Sequence, residues 1–132
     1  MNKHLSFLAD CDPGEIRVLN VCVEGCSPCK NLEVALGELC SVYESVKVRS
    51  CQRHELREFL SERGVSSSPA VLVCDGNVLF WTVGAGTPTK ERKRFMMVFE
   101  ALEKNNVEFV DRGKLRVWDG MGNERVFRGV KV

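Results

Sequence analysis

The sequence has almost no net charge, only two histidines and no long apolar run. Its formal net charge is +1, which gives no reason to expect binding to nucleic acid or to an acidic membrane surface. No apolar stretch approaches the roughly 20 residues that a membrane span needs. Charged residues at Asp10, Asp12 and Glu15 also argue against a signal peptide. We therefore expect a cytoplasmic protein with neither a nucleic-acid nor a membrane partner.

Cysteine is the residue in excess, because the chain carries seven among 132 residues. An odd number cannot pair completely within one chain. Most of these cysteines stand in apolar segments, which is typical of buried thiols accompanied by one or two reactive ones. Cys22 and Cys74 are predicted to fill the core and Cys40 to lie on or near an inner helix face. Cys11 and Cys51 lie near segment ends, where they can be exposed.

Apolar spacing predicts strands alternating with helices. A valine-rich run at 17–23 is typical of a strand covered on both faces, and an apolar stripe from Leu32 to Tyr43 predicts a helix. Other expected elements are a weak edge strand at 4–9, strands at 46–49, 70–74 and 78–83, and helices at 52–63 and from Pro88 to Asn105. This order predicts an α/β fold, an α/β/α sandwich with right-handed crossovers.

Residues 107–132 form a different kind of segment, because their alternating pattern has no helical stripe. They predict a terminal β-hairpin of 114–118 and 125–132, preceded by a strand at 107–110. We therefore divide the chain into a domain at 1–106 and a hairpin appendage at 107–132. An isolated hairpin is only marginally stable, so it should pack on the domain or on a partner.

The strongest chemical pattern is Cys26-Ser27-Pro28-Cys29, set between a buried strand and an amphipathic helix. A cysteine just before a helix points its sulfur at unpaired N–H groups and at the positive end of the helix dipole, which favours the thiolate. Cys29 follows one turn later and can close a disulfide with Cys26. The pattern predicts a nucleophilic Cys26 that attacks a substrate disulfide and a resolving Cys29 that releases the product.

Two metal-binding alternatives use the same cysteines. Zinc commonly takes four ligands, but the chain has no second CxxC pair, and His4 and His54 are not at finger spacing. The C-x3-C-x2-C spacing of Cys22, Cys26 and Cys29 is also that of the iron–sulfur site of radical SAM enzymes. Those enzymes resemble large partial β/α barrels, and this chain has too few β-α units for one. We predict no metal and no other cofactor.

Two separated segments resemble the thioredoxin family, namely 23–30 (VEGCSPCK) and 63–73 (RGVSSSPAVLV). They occur in the family's order and spacing, and the resemblance covers about residues 1–105. It implies a thioredoxin-like α/β/α sandwich with a mixed central sheet, here followed by the hairpin extension. It also implies a cis Ser68–Pro69 peptide opposite the cysteine pair.

The resemblance implies a protein disulfide oxidoreductase with Cys26 and Cys29 as catalytic residues. The expected partners are a disulfide-containing client protein and a reductant of the thioredoxin-reductase type. Around the cysteines, the residues implied to bind the client are Gly25, Ser27, Pro28, Ser68, Pro69 and Gly84.

Three departures from the family pattern favour a second hypothesis. Gly25 replaces the usual tryptophan before the first cysteine, Asn20 replaces the usual buried aspartate, and residues 107–132 extend past the last helix. An amide cannot accept the proton that a carboxylate can, so attack by Cys29 is expected to be slower. The alternative is therefore a thioredoxin-like interaction module with weak or no redox activity.

Overall fold

A computed structural model describes residues 2–132. The helices are α1 (Lys3–Ala9), α2 (Ser27–Val42), α3 (Arg57–Glu62) and α4 (Pro88–Glu103). The strands are β1 (Ile16–Cys22), β2 (Val46–Gln52), β3 (Ala70–Cys74), β4 (Val78–Val83), β5 (Val107–Asp111), β6 (Lys114–Trp118) and β7 (Glu124–Lys131). Within the described residues, no helix is both long and apolar enough to cross a bilayer.

All seven strands form one mixed sheet in the order β2-β1-β3-β4-β7-β6-β5. Only β1 and β2 run parallel, joined by the α2 crossover, and every other pair is antiparallel. The C-terminal ends of β1, β2 and β4 therefore meet the N-terminal end of β3 at one end of the sheet. This end carries the cysteine motif and the proline loop.

Helices cover both faces of the sheet, which confirms the predicted α/β/α sandwich. One buried cluster joins Val18 and Val71 of the strands to Leu32 and Leu36 of α2 and to Phe99 of α4. A second cluster on the opposite face contains Leu19, Val21 and Leu72 with Leu8 of α1 and Leu60 of α3. Alternate residues of β1 thus point to opposite helical layers.

The N-terminal segment is helix α1, so the prediction of an edge strand at 4–9 is wrong. Asn2 caps this helix, because its side-chain oxygen accepts from the N–H groups of His4 and Leu5. Leu8 is buried in the second cluster, so one apolar side of a short helix produced the weak pattern. The helix predicted at 52–63 is divided into a 3-10 turn, Arg53–Leu56, and α3.

The C-terminal strands extend the main sheet as an antiparallel meander that joins β4 through β7. Phe80 of β4 stacks on Phe127 of β7 with ring centroids 5.2 Å apart. Leu115 and Val117 of β6 are buried in the cluster that contains α4. The boundary proposed at residue 106 coincides with the passage from α4 to β5, and the sheet continues across it.

Candidate redox site

The cysteine motif lies at the junction of β1 and α2. Gly25 adopts a φ of +77°, in the left-handed region that glycine enters most readily. Cys26 is the N-cap of α2, and its Sγ accepts a hydrogen bond from the Cys29 N–H at 3.3 Å. Pro28 falls in the first turn, where its missing N–H costs no helical bond.

The two sulfurs of the motif differ in access to solvent. Cys26 is half-buried, whereas Cys29 is only 4% exposed. Burial, followed by the contact with Cys26, raises the pKa of Cys29 to about 12. Cys29 is therefore a protonated inner thiol, and Cys26 is the sulfur that a large disulfide substrate can reach.

The proline loop begins β3 at the same end of the sheet. Its Ser68–Pro69 peptide is cis. Strand register places the start of β3 beside the end of β1, since Val21 pairs with Ala70. Gly84, just beyond β4, donates its N–H to the Pro69 carbonyl at 2.7 Å. The structure thus brings Cys26, Ser68, Pro69 and Gly84 to one end of the sheet, while Ser27 and Pro28 are both exposed at the start of α2.

Arg53 holds the loop that precedes the cis peptide through hydrogen bonds. Its guanidinium donates to the carbonyls of Val65 and Ser67, the latter at 3.0 Å, and to Ser68 Oγ at 3.3 Å. Sequence reasoning missed this residue, because an arginine after a strand carries no motif. Only the parallel β1–β2 pairing, which puts Gln52 opposite Cys22, brings Arg53 to this end of the sheet.

An open groove of about 790 Å³ runs beside the motif. It lies between the turn after β1, the 3-10 turn with α3, and the segment before the proline loop. Its lining includes two arginines, Arg53 and Arg57, one acid, Glu24, and His54. The groove therefore offers a surface with more positive than negative charge, and it reaches to within two residues of Cys26 in the chain.

A buried ion pair supports the glycine corner after β4. Glu91 accepts the Gly86 N–H at 2.9 Å and pairs with Arg94, which donates to the Gly84 carbonyl at 3.3 Å. Asn31 of α2 also donates to the Gly86 carbonyl, at 3.0 Å. These contacts connect the helix that carries Cys29 to the loop that contacts Pro69.

All seven cysteines are free thiols. Cys22 and Cys74 are buried, as the sequence predicted, and Cys40 is half-buried on α2. Cys51, whose exposure the sequence left open, is buried inside the second cluster, because β2 runs on to Gln52 and keeps it within the sheet. Cys11 is half-buried and donates to the Glu15 carbonyl at 3.1 Å.

Two further residues of interest, Asn20 and Cys22, lie in β1 just before the motif. Asn20 is fully buried on the α2 face of β1, and among residues 2–132 neither its Oδ1 nor its Nδ2 has a hydrogen-bond partner. Cys22, two residues later on the same face of the strand, is also buried, and burial raises the pKa of its thiol. Among residues 2–132, no group of three or more His, Cys, Asp or Glu side chains has the geometry to hold a metal ion.

Comparison with curated proteins identifies a similar sequence. A curated Arabidopsis thaliana protein, thioredoxin H10, is 35% identical over 81 residues, which are 61% of this chain and 53% of that protein. The chain thus matches about half the length of this curated relative. No protein-family model matches.

Solved thioredoxins share the fold at low sequence identity. Mitochondrial thioredoxin 3 of Saccharomyces cerevisiae is 24% identical with a TM-score of 0.54, over 69% of this chain and 83% of that one. A Plasmodium falciparum thioredoxin is 19% identical with a TM-score of 0.55, over 72% and 86% respectively.

Proposed function

We propose that this chain is a protein disulfide oxidoreductase, because it has a thioredoxin-like fold, resembles a curated thioredoxin in sequence, and presents one accessible and one buried cysteine at a helix start. The proposal rests on the difference in solvent access between the two cysteines of the motif, Cys26 and Cys29. Cys26 caps the helix within reach of solvent, while Cys29 lies behind it as a buried thiol with a pKa of about 12.

The proposed reaction has two balanced steps. The Cys26 thiolate attacks one sulfur of a client disulfide, the client S–S bond breaks, and the departing client sulfur takes up a proton. Cys29 then gives up its proton and attacks Cys26, which releases the second client thiol and forms the Cys26–Cys29 disulfide. The client gains two electrons, and a dithiol reductant must return them to the protein, for which a thioredoxin-reductase-type partner is the natural class.

The surroundings of Cys26 suit a client in extended conformation. Ser68 precedes the cis-proline, is half-exposed, and is held by Arg53. Its backbone can pair with a client strand, as in β-strand addition. The proposed contact surface also includes Gly25, Ser27, Pro28 and Gly84. Because Gly25 has no side chain, the approach to Cys26 is open. Seven free thiols suit a reducing, cytoplasmic location.

Insulin reduction driven by dithiothreitol tests the proposal. The wild-type protein should accelerate insulin precipitation, and Cys26→Ser should abolish this acceleration. Cys40→Ser is the matched control, because Cys40 is a half-buried thiol on the same helix whose Sγ contacts the Val46 carbonyl at 3.4 Å. Wild-type protein with no activity, together with a client complex that survives Cys26→Ser, would instead establish the interaction module.

A further inference from the structure

The loop before the cis peptide, residues 65–68, has few hydrogen bonds of its own. The Val65 N–H bonds to the Leu60 carbonyl at 2.9 Å, but within residues 2–132 no backbone hydrogen bond joins residues 66–68 to the rest of the chain. Val65 is buried, whereas Ser66 and Ser67 are exposed. A short exposed segment with so few backbone bonds keeps one conformation only if side chains hold it.

The guanidinium of Arg53 supplies the polar contacts that this loop otherwise lacks. It donates to the carbonyl oxygens of Val65 and Ser67, the latter at 3.0 Å, and to Ser68 Oγ at 3.3 Å. Arginine suits this role, because its planar fork of N–H groups can bond several acceptors at fixed angles. One side chain therefore ties down most of the loop and leaves the Ser68 backbone free to pair with a client.

Arg53 begins a 3-10 turn that the N-terminal helix holds from behind. Glu55 accepts the Gln52 N–H at 3.0 Å through Oε1, and its Oε2 contacts His4 Nε2 at 2.8 Å. The Asn2 side chain donates to the Glu55 carbonyl at 2.7 Å. The backbone that carries Arg53 is therefore fixed by contacts that do not involve the loop.

The positive charge of Arg53 has no counter-ion among residues 2–132, because none of the ion pairs there includes it. Its three acceptors are neutral oxygens. The loop thus uses the hydrogen-bonding geometry of the guanidinium rather than its charge. Replacing Arg53 also leaves no carboxylate unpaired.

We infer that Arg53 is a positioning residue of the proposed reaction, which sets the affinity for a client by fixing the backbone of Ser68. The inference rests on the proposed function, in which an extended client pairs with Ser68. A loop that already has its binding conformation spares the free energy of ordering it when the client arrives. Among residues 2–132, Arg53 has no hydrogen bond to Cys26 or Cys29, so the sulfur chemistry itself should not depend on it.

Single-turnover mixing of the reduced protein with increasing insulin separates client affinity from the limiting rate. In Arg53→Gln, the insulin concentration that gives half the limiting rate should rise about three- to tenfold, the usual effect of losing one hydrogen-bonded contact. The limiting rate should stay at the wild-type value. The fast reaction of Cys26 with a small aromatic disulfide such as dithiodipyridine, which does not need the loop, should also be unchanged.

Arg53→Lys tests whether geometry or charge is responsible. Lysine keeps the charge, but its single ammonium on a flexible stem cannot reproduce the fork, so the affinity for insulin should fall as in Arg53→Gln. Arg17→Gln is the matched control, because Arg17 is half-buried and donates to the Phe7 carbonyl at 3.3 Å, at the opposite end of β1. It should leave the dependence on insulin concentration unchanged.

The outcomes separate this inference from the proposed function. Wild-type affinity for insulin in folded Arg53→Gln overturns the inference alone, and so does full rescue by Arg53→Lys. If Arg53→Gln does not fold, Arg53→Lys decides by the same measurement. A fall in the limiting rate or in the small-disulfide rate, with the affinity for insulin unchanged, also contradicts a positioning role. Wild-type protein that does not reduce insulin overturns the proposed function instead.

Discussion

At the scale of single residues, Asn20 would limit the resolving step of the proposed reaction. It is a buried amide on the α2 face of β1, two residues before Cys22, and has no partner among the described residues. An amide cannot accept the proton that Cys29 must lose, and the pKa of Cys29 is raised to about 12. The arrangement thus favours a slow second step.

Asn20→Asp should therefore speed release of a client from the Cys26 mixed disulfide. Burial raises the pKa of a carboxyl group, and only its ionised form accepts a proton. The gain should consequently grow as pH rises through the raised pKa. The measurement is single-turnover insulin reduction across pH.

Thr82→Val is the control for Asn20→Asp, because Thr82 is a buried polar residue on the same face, separated from Asn20 by Val71 in the strand register. It changes polarity without introducing a base, so its rate should stay at the wild-type value. An Asn20→Asp protein that is folded and no faster than wild type at any pH would contradict this account.

Single residues also show where sequence reasoning reached its limit. Strand alternation was sufficient to place Asn20 and Cys22 on one face. It could not show that Cys29 is almost fully enclosed while Cys26 remains half-buried, because that depends on how closely the first turn of α2 approaches the end of β1.

At the scale of secondary-structure elements, the buried Glu91–Arg94 ion pair of α4 stabilises the fold. Burial lowers the pKa of Arg94, and the Glu91 carboxylate opposes this effect. Removing the acid leaves a largely buried guanidinium without its counter-charge, which typically costs about 3–5 kcal/mol. The same carboxylate accepts the Gly86 N–H, so the loop beside Pro69 is affected too.

Glu91→Ala should therefore lower the free energy of unfolding by about 3 kcal/mol, as measured by urea denaturation. Glu38→Ala is the control, since Glu38 pairs with Arg92 at 3.0 Å on the exposed surface, where such a pair contributes at most about 1 kcal/mol. Equal costs for the two variants would show that Glu91 does not have the role assigned here.

At the element scale, the periodic segments were predictable and the short ones were not. The α2 stripe and the β3–β4 hairpin each carry several buried residues in one repeating pattern, so tertiary packing and local signals agree. Helix α1 has seven residues, too few for a helical period to stand out from a strand. Its cap at Asn2 was the missed signal.

At the scale of the whole molecule, the pairing of β4 with β7 joins the three C-terminal strands to the rest of the sheet. Gly129 pairs with Phe80 in the strand register. A Cβ at position 129 would lie 2.9 Å from both the Leu79 carbonyl oxygen and Phe80 Cβ. Backbone and core leave no room there, so the C-terminal strands approach β4 only because this residue is glycine.

Gly129→Ala should lower the free energy of unfolding by about 1–3 kcal/mol through overpacking. Gly37→Ala on α2 is the contrast, because its Cβ would meet nothing within 4 Å and alanine is favoured in helices by about 1 kcal/mol. Thermal and urea unfolding of both variants provide the measurement. A stabilised Gly129→Ala protein would mean that β7 does not pack on β4 as described.

For the molecule as a whole, the sequence predicted the layers and the extra strands but not their continuity. Alternation in residues 107–132 indicated strands without indicating where they pair. Their docking depends on the contact of Phe127 and Gly129 with Phe80, which lies far from them in the chain, so no local sequence signal reveals it.

The central claim is that Cys26 is the attacking sulfur and Cys29 the resolving one. Its most direct test is to incubate Cys29→Ser with insulin, quench in acid, alkylate and map the peptides. In that variant peptide 25–30 contains Cys26 alone, and this account predicts that an insulin cysteine is attached to it. Insulin attached to another cysteine of the folded variant, or no adduct at all, would contradict it.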